Sequence, residues 1–393
     1  MTTTVTGRIT VIDDDVRRAA ERLRPDAEVA ETAARAAWSV LVEPGDGVAG
    51  ALIGALGANR ALRLAMDDEE LLPPGLFEPR AFTEAQARWR PRAHARAVRD
   101  ALESCLDVGG SLLLPGDEHW PLGLDDLGPH APLALWARGD LNVLNGSTTA
   151  SIVGARAATP YGEAVAAEIA GDLAAGGTVI ISGGAYGIDG AAHRAALGAG
   201  GATVAFLAGG IDRAYPIGHQ QLFDRIRRSG AVLSEVPCGS APTKWRFLSR
   251  NRAIAAAGMA TVVVEAGWRS GSLNTAGHAA DLGRPLGAVP GPVSSAASAG
   301  CHRLLREYDA VCVTSAREVR ELWGESDQTP APSTKEHPDH VRLRDALSTR
   351  TPREPLDIAR RSGLSIDRVR SLLGLLALDG TVVQRDDGWQ RSG

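Results

Sequence analysis

Between residues 244 and 252 the chain reads Lys244-Trp-Arg-Phe-Leu-Ser-Arg-Asn-Arg252, four cations and two aromatic rings in nine residues. Cations follow phosphates and aromatic faces stack on bases, the combination that single-stranded nucleic acid requires. The same spacing also suits a basic amphipathic helix, and for Trp245 and Phe247 a place in the core is the favoured expectation. Lys244, Arg250, Asn251 and Arg252, leading into an Ala-rich helical stretch, are the candidate contacts.

Three glycine-bearing turns accompany this run. Ser151-Ile-Val-Gly-Ala-Arg156 is a strand running into a loop at Gly154, with a helix beginning near Pro160. Backbone N–H groups at such a turn point into the crevice beyond the strand and form an anion site, to which Arg156 adds a planar, phosphate-matching fork. The spacing is not G-x-G-x-x-G, so a dinucleotide reading is weak. Ser182-Gly-Gly-Ala-Tyr-Gly-Ile-Asp189 repeats the device, with Ser182, Gly183 and Tyr186 as candidates. Asp189 either supports the site or caps its helix. His193, one turn on, reads as a helix-face residue rather than a metal ligand. Glu265 ends another strand, and Ser270-Gly-Ser-Leu-Asn-Thr275 follows, presenting Ser270 and Gly271 at a helix start. Glu265 would orient Arg250 or Arg252, or accept from a base or a sugar hydroxyl. Val289-Pro-Gly-Pro292 reads as loop geometry. No G-x-S-x-G, H-E-x-x-H or G-x-x-x-x-G-K-[ST] pattern occurs, which points to binding rather than turnover.

The elements that must hold these turns fall into three regimes. Residues 1–110 are Ala- and Arg-rich, with apolar residues at helical spacing in 27–42 and 83–106, and predict a small helical domain. Residues 111–327 alternate short apolar runs with Ala-rich stretches. The strand candidates are 151–155, 178–182, 202–207, 231–236, 261–265, 285–289 and 310–313. Continuous rather than alternating apolarity implies strands covered on both faces, hence a doubly wound, mostly parallel, Rossmann-like α/β layer. A Pro/Ser/Thr-rich linker at 328–338 then precedes a third domain, 339–393. There, helices at 340–348, 356–361 and 366–378 and a hairpin at 381–384 and 388–390 suggest a winged helix.

The bulk numbers restrict how such a protein meets DNA. A formal net charge of −5 over 393 residues rules out coating nucleic acid with the whole surface, so binding must come from a local basic groove. Cys105, Cys238, Cys301 and Cys312 show no metal-ligand spacing and read as reduced thiols. Neither an apolar signal region nor a run of the roughly 20 residues that span a membrane is present, so a cytoplasmic protein without membrane contact, metal or cofactor is expected.

Taken in order, these motifs resemble the DprA/Smf family. The matching runs are V-G-x-R at Val153–Arg156, S-G-x-A-x-G-I-D at Ser182–Asp189, A-A-H at Ala191–His193, Y-P at Tyr215-Pro216 and S-E at Ser234-Glu235. R-N-R at Arg250–Arg252, E-x-x-x-x-S-G-S at Glu265–Ser272 and V-P-G at Val289–Gly291 follow, and Asp117–Pro121 and Pro132–Gly139 look like the family's lead-in. The resemblance implies a dimeric, non-enzymatic mediator that binds single-stranded DNA in its Rossmann-like domain. It further implies loading of the RecA recombinase on strands bearing single-strand-binding protein, chiefly in natural transformation. By motif, Arg156 is the pocket cation and Arg250 and Arg252 are DNA contacts. Three positions depart from the pattern: Tyr186 replaces a frequent Arg, Ala202 stands where a Lys is common, and Gly300-Cys-His302 replaces G-x-N. The third domain carries 11 basic and 9 acidic residues over 335–393. With Asp367 beside Arg368 and Arg370, and with Asp386 and Asp387 on the wing, that balance favours protein contact over groove binding. Two competing readings are a phosphoribohydrolase-like enzyme using Glu265, whose P-G-G-x-G-T-x-x-E pattern is missing, and a scaffold acting through the winged helix.

Overall fold

The computed structural model describes residues 10–67, 72–73, 75, 77–325, 338–378 and 380–392. The Ala-rich N-terminal segments form helices because Ala is the strongest helix former and their apolar residues recur at helical spacing, and Asp13 and Asp46 cap two of them. Asp13 accepts from the Val16 N–H at the start of α1 (Asp14–Leu23). It is followed by α2 (Val29–Leu41), α3 (Gly47–Leu56), α4 (Ala58–Met66), α5 (Pro79–Trp89) and α6 (Ala95–Asp107). Trp38 and Trp89 meet edge to face at 5.1 Å in their core.

A sheet of nine strands follows. Its elements are β1 (Ser111–Leu113), β2 (Leu135–Gly139), β3 (Thr149–Val153), α7 (Pro160–Ala175), β4 (Val179–Ser182), α8 (Ile188–Gly198), β5 (Thr203–Leu207), α9 (Gln220–Ser229) and β6 (Ala231–Ser234). The second half comprises α10 (Lys244–Ala257), β7 (Ala260–Val263), α11 (Ser272–Asp281), β8 (Leu286–Ala288), α12 (Ala299–Glu307), β9 (Val311–Cys312) and α13 (Ala316–Glu321). All seven expected strands form, each shifted or trimmed by a residue or two, in the order β1-β2-β6-β5-β4-β3-β7-β8-β9. From β6 to β9 the pairing is parallel. Strands β1 and β2 are antiparallel additions. No strand is expected from the sequence in this lead-in, because two short runs separated by a long stretch of 3₁₀ turns carry little periodic signal.

Trp136 of β2 ties the helices to the sheet: its indole N–H donates to Ser39 Oγ at 3.2 Å, and it shares one apolar cluster with Trp38, Leu102 and Phe223. The boundary expected near residue 110 thus falls inside one compact unit, residues 1–326. Residues 327–393 form a second unit. It contains α14 (Pro338–Ala346), α15 (Pro355–Ser362), α16 (Ile366–Leu378) and the hairpin β10 (Val382–Arg385) and β11 (Gly388–Arg391), around Leu343, Ile358, Val369, Leu372 and Val382. Gly363 closes α15 at φ 71°, the left-handed conformation that glycine adopts without strain. The elements are those of a winged helix. Of the expected linker, residues 328–337 lie outside the described residues, as does Asp379 ahead of the hairpin, and Pro338 opens α14.

Candidate nucleic-acid interface

The chain leaves the sheet on opposite sides of β3: β4 pairs with one edge and β7 with the other. In an open α/β sheet, that reversal opens a crevice beyond the carboxyl ends of the two strands. A crevice of about 730 Å³ lies there, lined by residues 153–157 after β3, 267–272 after β7, the start of α10, and Tyr215.

The β3 loop is sewn in from both sides. The Ala155 N–H donates to Glu265 O at 2.7 Å, and the Ile188 N–H donates to Ala155 O at 3.2 Å. A side chain at Gly154 would have to share space with Ile188, whose Cγ1 would lie 2.5 Å from the added Cβ. With its backbone pinned, the loop turns Arg156 outward, and its guanidinium carbon sits 4.5 Å from the centre of the Phe247 ring. Tyr215 continues the surface, its ring 5.5 Å from Phe247.

Arg250 lies beneath them and is buried. Its Nη1 donates to Phe206 O at 2.7 Å, while its Nε has no hydrogen-bond partner. Burial lowers its pKa to about 10 against the opposing pull of Asp189, so it stays cationic at neutral pH. Asp189 is buried too, which pushes its carboxyl upward while Arg250, the Ala185 N–H, Arg156 and Ser182 hold it down. A side chain on Gly183 would collide with both Arg250 Nη1 and Asp189 Oδ2. Only glycine fits between the two charges. The carbonyls of this turn are held by histidines, Gly183 O by His193 Nε2 at 2.7 Å and Gly184 O by His219 Nδ1 at 3.0 Å. Burial drops the His193 pKa to about 4, so its ring is neutral. On the β7 side, Asn251 Nδ2 donates to Gly271 O at 3.3 Å and to Asn274 Oδ1 at 3.2 Å, fixing the loop that carries Trp268, Arg269, Ser270 and Gly271.

The tertiary structure divides the predicted residues. Gly154, Arg156, Asp189, Lys244, Arg250, Asn251, Ser270 and Gly271 meet in the crevice. Ser182 stays within the sheet, donating to Ile152 O at 2.6 Å. Gly183 serves from beneath. Tyr186 stands outside the crevice, half-exposed, edge-on to His219 at 4.7 Å. Arg252 is the clearest correction. It turns away from the crevice into a buried two-pronged ion pair with Glu235 at 2.6 and 2.7 Å, and donates to His130 O at 2.8 Å. Arg246 is likewise paired with Glu43. Glu265 orients neither arginine: its carboxylate accepts from the Thr159 N–H at 2.8 Å and the Thr159 hydroxyl at 2.7 Å, at the start of α7. The expected core placement of the aromatics also fails, since Trp245 is 76% exposed and Phe247 faces the crevice. Sequence reasoning passed over Tyr215, Trp268 and Arg269. The last two lie inside the Glu265–Ser272 run, where a cation beside an aromatic was the available signal.

Four cations, Arg156, Lys244, Arg250 and Arg269, line the crevice against one carboxylate, Asp189, although the whole chain carries −5. Residues 111–324 match the family described as DNA recombination-mediator protein A, and residues 327–388 match the DprA winged helix domain. The chain belongs to the DprA/Smf family. A Mycobacterium tuberculosis DprA is 44% identical over 309 residues, covering 74% of this chain and 79% of that one. DNA processing protein DprA of Streptococcus pneumoniae is 40% identical over 207 residues, 52% of this chain and 71% of that one. The X-ray structure of DprA from Streptococcus pneumoniae superposes with a TM-score of 0.59 at 30% identity, covering 74% of this chain and 96% of that chain. In the winged helix, Arg368 of α16 pairs with Asp339 at 2.9 Å. Among the described residues, no helix is long and apolar enough to cross a membrane.

Proposed function

We propose that this chain is a DNA-processing protein that grips single-stranded DNA in the crevice between β3 and β7. In this reading it protects incoming strands and loads the RecA recombinase on them, in natural transformation and homologous recombination. It works as a homodimer, alongside single-strand-binding protein, in the cytoplasm and without catalysing a reaction. The observation that carries the reading is the Arg156–Phe247 pair. A permanent cation and an aromatic face on one surface suit a phosphate and an unpaired base, whereas a duplex buries the faces of its bases. The winged helix, with its near-balanced charge, is assigned to protein contact.

Fluorescence anisotropy with a labelled oligonucleotide tests the assignment. Arg156→Ala and Arg250→Ala each lower affinity steeply, and binding indifferent to both defeats it. The enzyme reading gains nothing from Glu265, whose carboxylate is committed to Thr159. Release of free base from nucleoside monophosphates, lost in Glu265→Gln, would restore that reading.

A further inference from the structure

Trp268 is 55% exposed, yet it is not loosely held. The Gly300 N–H donates to Ala266 O at 2.7 Å, bringing the start of α12 against the loop after β7. That approach needs glycine, because a Cβ at position 300 would lie 2.7 Å from Ala266 O and 2.8 Å from Gly267 O. One turn along α12, Arg303 lays its guanidinium over the Trp268 ring, 5.3 Å from the centroid. Glu307 holds Arg303 at 2.8 Å, and the Tyr308 ring lies 5.5 Å from it. The indole is thus fixed by a cation while more than half of the side chain remains open to water. Leaving that much apolar surface in water is unfavourable. A fixed, exposed ring that lines the crevice suits a ligand with a flat face.

We propose that Trp268 is a second base-stacking platform for single-stranded DNA, and that Arg303 is the residue that positions its ring. This deepens the single-stranded DNA reading above and rests on it. The strand then extends past the Arg156–Phe247 surface and over residues 267–271. Arg269, exposed and without an ion pair among the described residues, supplies the backbone cation beside the ring. Lys244 and Phe247 both stand on α10 and line the same crevice. Arg303 does not take the phosphate role, because Glu307 already neutralises it.

The test compares an oligo-dT strand with a wholly abasic strand of equal length, using the full chain. A stacking residue senses the bases, whereas a residue that only shapes the loop affects both strands alike. Trp268→Ala weakens oligo-dT binding roughly 5- to 160-fold, the range of one lost base stack, and leaves the abasic strand unchanged. Trp268→Phe keeps most of the affinity. Arg303→Ala shows a smaller loss confined to oligo-dT, and Arg303→Lys recovers part of it. Unchanged oligo-dT affinity in Trp268→Ala overturns the proposal, as does an equal loss on both strands. If oligo-dT binding also ignores Arg156→Ala, or the wild type does not bind it, the underlying reading has failed. Binding that needs Arg156 but not Trp268 defeats this inference alone.

Discussion

The guanidinium of Arg156 stacks on Phe247, its central carbon 4.5 Å from the ring centre, so a loop after β3 and a helix 91 positions further on share one surface. Neither residue is placed by its own element alone. Gly154 and Ile188 fix the loop, and the packing of α10 fixes the ring.

Removing the two partners should have separable effects. Arg156→Ala lowers single-strand affinity and reduces the slope of log K against log salt by about 0.7, the share of one phosphate contact. Phe247→Ala costs about 1–3 kcal/mol and leaves the salt slope near the wild-type value. A salt titration of anisotropy for both variants checks this. Equal slopes in wild type and Arg156→Ala would remove Arg156 from the phosphate path.

Arg252 should act on stability. Its ion pair with Glu235 is buried, with side-chain exposures of 6% and 9%. Arg252→Ala leaves the carboxylate without its partner and is expected to destabilise the protein by about 3–5 kcal/mol in urea unfolding. The folded fraction should bind oligonucleotide as the wild type does. A stable Arg252→Ala protein with weakened binding would return this residue to the DNA contacts.

Glu265 is also structural. Glu265→Ala leaves the Thr159 N–H and hydroxyl at the start of α7 without their acceptor, and should cost about 1–3 kcal/mol. Glu265→Gln, which keeps one acceptor oxygen, should cost less. Denaturation midpoints of the two variants decide the order.

His193 makes stability depend on pH. Its folded pKa of about 4 lies below its unfolded value near 6.5, so between these limits the unfolded chain binds a proton that the folded chain refuses. Stability is therefore full above about pH 6.5 and declines as pH falls to about 4, by about 3 kcal/mol from this group. His193→Gln should lower stability at pH 7 and flatten that part of the profile. The wild-type minus variant difference, measured by urea unfolding from pH 4 to 7, isolates the effect from other titrating groups.

Much of the fold was legible because it rests on local pattern. Seven continuously apolar runs specify buried parallel strands, since an alternating pattern would leave one face wet. The winged helix showed itself in three periodic segments and a two-residue turn at Asp386-Asp387. Strands β1 and β2 were not legible, because runs of three and five residues flanking 3₁₀ turns carry little periodic signal.

The residue types of the candidate site were also set by sequence: glycines where the backbone must pass close to side chains, and cations beside aromatics at 244–252. Which of those cations face the crevice was decided only by tertiary structure. Arg250 and Arg252 are two residues apart, and on a helix that spacing turns them about 200° from each other. One therefore lies under the crevice beside Asp189, and the other points toward Glu235. A linear sequence places them together, and the helix separates them.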